Sequence, residues 1–118
     1  MSARSVKAIF VNTTNLVLTL KATELVHGEW ATQPPGTIGP NSQGEWEAHS
    51  HGTLTGVEGT VAYNIGQGQG QSVSTYFDNP YIGSNVFTAT VTPNTAFSCA
   101  ATSDGGNDAK VTYTLAAT

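Results

Sequence analysis

The chain has 118 residues, room for one packed core and no second, so residues 1–118 are read as a single domain. Only 10% of residues are charged and 38% are hydrophobic, which leaves Thr, Ser, Asn, Gln and Gly to cover the surface, a composition of strands and turns. The formal net charge is −4, and all eight acidic residues fall between Lys21 and Lys110, a span without Lys or Arg, so there is no basic footprint for nucleic acid or an anionic membrane surface.

The chain opens Met1-Ser2-Ala3-Arg4-Ser5 without the apolar h-region of a signal peptide, and no window approaches a spanning helix. The expectation is a protein made in the cytoplasm; release without a classical signal is compatible with it. Val6, Ala8 and Phe10 alternate in a first strand, which turns at Asn12-Thr13-Thr14-Asn15. Leu16, Leu18 and Leu20 follow on one face and read as its hairpin partner. The pattern loosens through His27-Gly28-Glu29-Trp30, and Pro34-Pro35-Gly36 enforces an extended connection. Gly44 to Ser50 forms a strand with Trp46 and Ala48 on one face, and Thr60 to Ile65 another with Val61, Tyr63 and Ile65 aligned.

The low-complexity run Gly66-Gln67-Gly68-Gln69-Gly70-Gln71 reads as a hairpin loop, because no helix follows to make it a phosphate cradle. Beyond it Val73, Thr75 and Phe77 share a face, the irregular segment Asp78 to Asn85 intervenes, and Val86 to Val91 and Lys110 to Leu115 complete the set. Pro93-Asn94 and Ser103 to Asp108 are the remaining turns. No stretch holds a helical period. The expected fold is all-β, a single antiparallel β-sandwich of about seven or eight strands.

Little in the sequence suggests catalysis or a cofactor. There is no nucleophile elbow, HExxH or CxxC, and Cys99, the only cysteine, has no partner for a disulfide, which suits a reducing compartment. His49 and His51, with His27 and Glu45 or Glu47, suggest a metal site, but the strand is ending there and exposed histidines are the simpler reading. Asp104 to Asp108 lacks the ordered ligand series of a calcium loop. No enzyme activity, metal or cofactor is therefore expected. The aromatics say more: Trp46 and Phe87 read as strand core, whereas Trp30, Tyr76 and Tyr81 lie in or beside turn-rich segments and read as exposed binding rings.

Leu25-Val26-His27-Gly28-Glu29-Trp30, Pro34-Pro35, Ile38-Gly39-Pro40, Gly44-Glu45-Trp46, the Thr55 to Tyr63 run and the Asp78 to Asn85 run occur in order along most of the chain. Taken together, with "HGxW…PP", "TGxEGxVxY" and "DNPxxGSN" as the most specific parts, they resemble the small aegerolysin-like proteins of fungi and bacteria, including the bacterial crystal-protein group. This chain is shorter and poorer in Trp than the better-known fungal members. The resemblance implies an actinoporin-like cytolysin sandwich and a surface that recognises membrane lipids such as sphingolipids. It also implies that a second, larger protein can be needed to perforate a membrane. It carries Trp30, Asp78, Asn79, Tyr81 and Asn85 as candidate ligand-binding residues, and Tyr76 joins them as a loop-proximal ring.

Three functions follow as expectations. In a lipid binder, Asp78 or Glu58 faces a choline or ethanolamine cation on a neutral or zwitterionic lipid. A lectin would stack a sugar on Trp30 or Tyr76 and bind its hydroxyls through Asp78, Asn79 and Asn85. A structural or storage protein would self-assemble through its sheet edges, as a homo-oligomer and without a ligand.

Overall fold

The structure, a computed structural model, describes residues 3–68, 70–93 and 96–118. The described residues form ten strands and no helix: β1 (Ser5–Asn12), β2 (Leu18–His27), β3 (Glu29–Thr32), β4 (Thr37–Ile38), β5 (Ser42–His49), β6 (Val57–Ile65), β7 (Ser72–Asn79), β8 (Val86–Thr92), β9 (Phe97–Ser103) and β10 (Asp108–Ala117). Two five-stranded sheets face each other, in the orders β3-β5-β1-β10-β9 and β4-β2-β6-β7-β8. The pairing is antiparallel except between β1 and β10, which run parallel. The all-β sandwich is the expected fold, but with more strands than seven or eight. β3 and β4 are short edge pieces among prolines, and β9 is rich in Ala and Ser with few apolar landmarks, so none carries a strong alternation.

The expected hairpin between the first two strands does not form. β1 lies between β5 and β10, whereas β2 pairs with β6 in the opposite sheet. Alternation fixes which face a strand buries and leaves its neighbour open. The chain crosses between the sheets at 13–17, where buried Asn12 anchors the turn: its Nδ2 donates to Leu16 O at 2.8 Å and Gly39 O at 2.9 Å, and its Oδ1 accepts from Thr14 N and Oγ1. The 66–71 segment does join two paired strands, β6 and β7, as expected; Gln69 within it lies outside the described residues, as does Asn94 of the Pro93-Asn94 turn.

Between the sheets Phe10, Trp46, Tyr63 and Tyr113 form one aromatic cluster, with centroids 5.8 Å (Phe10 to Tyr63) to 6.4 Å apart. Rings on alternate positions of β1, β5, β6 and β10 meet there because each strand buries one face. The two phenols are satisfied at their tips. Tyr113 Oη donates to the backbone oxygen of Tyr76 at 2.7 Å, tying β10 to the opposite sheet, and Tyr63 Oη donates to Pro35 O at 2.7 Å. Burial pushes both phenol pKa values above their ordinary range. It also pushes the Cys99 thiol up to about 12, which leaves little reactive thiolate at neutral pH.

Truncating the central ring, Phe10→Ala, is expected to cost about 3–5 kcal/mol through lost burial and a cavity. Urea unfolding checks this against Lys7→Ala on the opposite, exposed face of the same strand, which should change stability by less than about 1 kcal/mol.

Candidate functional site

One end of the sandwich gathers most of the polar chemistry. The start of β1, the ends of β2, β5 and β7 and the start of β6 meet there, because Ser5 pairs with His49 and Asp108, His27 with Glu58, and Val57 with Asn79. A register shift between Leu25 and His27 marks a bulge in β2 just before the His27–Glu58 pair. Glu58 and Asp78 stand directly opposite each other across β6 and β7 and share the outer face of their sheet.

These residues line a cleft of about 330 Å³, together with Leu54, Pro80 and Tyr81. Glu58 Oε2 accepts a hydrogen bond from Tyr76 Oη at 2.7 Å, and its Oε1 lies 3.9 Å from His27 Nε2. That bond is the first cause pushing the Tyr76 phenol up to about 12, with burial second. Desolvation raises the Asp78 pKa, the charge of Glu58 raises it further, and His27 opposes them. No Lys or Arg lines the cleft. Arg4 is nearby but engaged: its Nε donates to Pro80 O at 3.3 Å, its Nη2 to Tyr81 O at 2.7 Å, and its guanidinium lies 4.7 Å from the centroid of the Tyr81 ring. Two carboxylates with no Lys or Arg beside them, and only His27 near Glu58, make a place for a positively charged group.

The rim is apolar. Leu54 is 66% exposed and holds a positive φ of 59°, which is costly for a side chain of its size, and Ile82 is 86% exposed. Thr55 Oγ1 closes the loop before Gly56 by donating to His51 O at 2.9 Å and Gly52 O at 3.1 Å. Gly56 then packs on the next loop so tightly that a Cβ there would stand 2.7 Å from Asn79 O and Pro80 Cα. The 50–56 and 80–85 loops are thus held together, side by side at the cleft.

Of the residues singled out by sequence, Asp78, Tyr76 and Tyr81 come to the cleft or its border, with different duties. Tyr76 orients Glu58, and Tyr81 has Arg4 over its ring. Asn79 is 1% exposed and ties β7 down, donating to Ser5 O at 3.0 Å and Asn107 O at 2.8 Å. Asn85 donates to Gly106 O at 2.9 Å and links two loops. Trp30 packs half-buried, edge-on to Phe77 at 6.2 Å, and extends the core. Phe87 is likewise packed against the core, and Trp46 lies within it, as expected of both. The histidine cluster takes Glu29 and neither Glu45 nor Glu47: His49 Nε2 and His51 Nδ1 lie 3.5 and 3.1 Å from its two oxygens, while His27 is with Glu58. The site residues that sequence reasoning missed are Leu54 and Ile82. The signal for Leu54 was a lone apolar residue inside a Gly-Thr-Leu-Thr-Gly turn.

This is a two-sheet sandwich with an acidic cleft and an apolar rim at one end, and its architecture is shared with known structures. The lipid binding protein Nakanori has a TM-score of 0.82 to it at 16% identity, over 98% of this chain and 72% of Nakanori. RahU protein, in a structure holding a Tris molecule, scores 0.77 at 14% identity, over 100% of this chain and 98% of RahU. IP-1A from Alcaligenes faecalis scores 0.69 at 15% identity, over 96% and 91% of the two chains. At these identities the likeness is one of fold, a two-sheet β-sandwich. An uncharacterized protein of Dictyostelium discoideum is 33% identical over 104 residues, 88% of this chain; the match spans only 9% of that relative's length. No family model matches the chain.

The raised Asp78 pKa makes a prediction about stability. The unfolded chain gives up this proton at lower pH than the folded one, so the residue's contribution to stability falls as pH rises from its ordinary value of 3.8 through the raised one. Asp78→Asn removes that penalty. The variant should melt higher than the parent at neutral pH, and the gap should close in acid below the ordinary Asp range, as read by calorimetric melts from acid to neutral.

Proposed function

We propose that this domain binds a membrane lipid with a cationic group in a neutral or zwitterionic headgroup, and that it does so by recognition without catalysis. The observation that carries the reading is the Glu58–Asp78 pair, which lines a cleft without Lys or Arg, has only His27 beside it, and lies near exposed Leu54 and Ile82. The carboxylates meet the choline or ethanolamine charge while the two apolar side chains enter the interface. Burying each of them is worth roughly 1.5–3 kcal/mol. Holding Leu54 at positive φ by a hydrogen-bonded turn fixes the side chain outward before the membrane is met, which lowers the ordering cost of binding.

The lipid binding of Nakanori, a protein of the same fold, supports the reading. The sequence resemblance adds the finer part of the proposal: a sphingolipid-type headgroup is the preferred target, and any perforation of the membrane is the work of a second, larger protein. Attraction by anionic lipid has no place in it, because the cleft is acidic and Arg4 is already engaged.

Vesicle flotation tests this with phosphatidylcholine, phosphatidylethanolamine, sphingolipid–sterol and phosphatidylserine mixtures. The protein should float with zwitterionic vesicles, best with sphingolipid and sterol, and added salt should change binding little. Leu54→Ser with Ile82→Ser should weaken it by about tenfold or more, from the apolar area lost to water. Glu58→Gln with Asp78→Asn should weaken binding to the phosphatidylcholine and phosphatidylethanolamine vesicles. Binding confined to phosphatidylserine, with steep salt dependence, would sink the proposal.

A further inference from the structure

The opposite end of the sandwich has a different chemistry. There the 13–17 crossing and the described part of the β6–β7 loop border an open cleft of about 680 Å³, within the usual range for small-molecule sites, roughly 300–1,000 Å³. No Asp, Glu, Lys, Arg or His is among the described residues that line it. Its polar groups are the amides of Asn15, Asn64 and Gln67 and the hydroxyl of Thr19, and its apolar wall is Leu16 and Val17, which are 40% and 45% exposed.

The frame of this cleft is fixed and its amides are not all used. Asn12 and Thr14, both buried, hold the backbone around Leu16, with Leu16 N donating to Thr14 Oγ1 at 3.1 Å. Gly66 N donates to Val17 O at 2.9 Å and fastens the loop to the crossing. Gly66 has φ +73°, and a Cβ there would already stand 3.4 Å from Leu16, so the join is close. Asn15 Oδ1 accepts from Asn41 Nδ2 at 3.1 Å, which turns one side of its amide to the protein and leaves its NH₂ to donate elsewhere. Asn64 Oδ1 is shielded from solvent and has no hydrogen-bond partner among the described residues. Buried acceptors are rarely left so, and a donor on a bound ligand would satisfy this one.

We propose that this end carries a second binding site, for a neutral carbohydrate. Amides and a hydroxyl both donate and accept, as sugar hydroxyls require, and the absence of charge in the wall disfavours ions and phosphates. Leu16 and Val17 offer the C–H face of a pyranose an apolar surface. The site is separate from the acidic cleft: its residues belong to the other end of β2 and β6, and its ligand class is uncharged.

An array of neutral mono- and oligosaccharides, followed by saturation-transfer NMR on the sugars it retains, tests the proposal with the intact chain. A neutral sugar should bind in the micromolar to millimolar range. Val17→Glu and Gln67→Ala, both at exposed positions, and Asn64→Leu should each weaken it by about tenfold or more while thermal melts show the first two folded. Glu58→Gln, at the other end, should leave sugar binding unchanged. The site is overturned if no neutral sugar binds, or if Val17→Glu and Gln67→Ala bind it as well as the parent. It is equally overturned if Val17→Glu removes vesicle binding with no sugar bound, since the exposed Leu16 and Val17 would then be a membrane contact.

Discussion

Four aromatic rings meet in the core between the two sheets, and two of them carry hydroxyls that cannot be left unpaired. Tyr113 and Tyr63 resolve this by reaching backbone carbonyls at the rim of the core, Tyr76 O and Pro35 O. The geometry is demanding. Tyr113 must arrive from β10 at the height of Tyr76 on the opposite sheet, which sets how the two sheets lie over each other. Because Tyr76 in turn presents its own hydroxyl to Glu58 on the outer face, one residue is held from both sides, by its backbone to the core and by its phenol to the cleft. The position of the Glu58 carboxylate is thereby coupled to the packing of the sandwich.

The same arrangement shows how so few charges are distributed. Lys7 is 3.9 Å from Glu45 on the outer face of the first sheet, and Arg4 is bound to carbonyls and a ring. Glu58 and Asp78 are left facing each other across two strands, at some cost to Asp78, whose carboxyl resists ionisation. A carboxylate pair retained at such a cost is a common mark of a binding surface. What favours a surface role here is the neighbouring apolar rim. Leu54 combines exposure with backbone strain, and the fold spends a threonine side chain and a tightly packed glycine on keeping that loop in place.

Alternation of apolar and polar residues gave the buried faces of β1, β5, β6 and β7 directly, because a strand turns successive side chains to opposite sides. The strands that were missed had short length, edge position or small side chains, and so no pattern to read. The candidate site was legible in part. Asp78 and Tyr76 stand out near a turn-rich segment, and Glu58 lies in a recognisable run, but the duties of Asn79, Asn85 and Trp30 were hidden. Each of these three makes contacts over 20 or more residues of sequence separation, to Ser5 and Asn107, to Gly106 and to Phe77.

By itself the sequence determined the class of fold, the faces of the main strands and the absence of basic charge along the middle of the chain. These are local or compositional properties, fixed by the two-residue period and by which side chains exist at all. Tertiary structure decided the partners. It placed β1 beside β10 in parallel and sent β2 to the other sheet, since alternation is indifferent to which strand lies alongside. It also brought Leu54, Glu58, Asp78 and Tyr81 to one cleft and set Asn64 against the Leu16–Val17 crossing at the far end. Those juxtapositions join segments 20 to nearly 50 residues apart, and they follow from strand register and loop packing, which no local window of sequence contains.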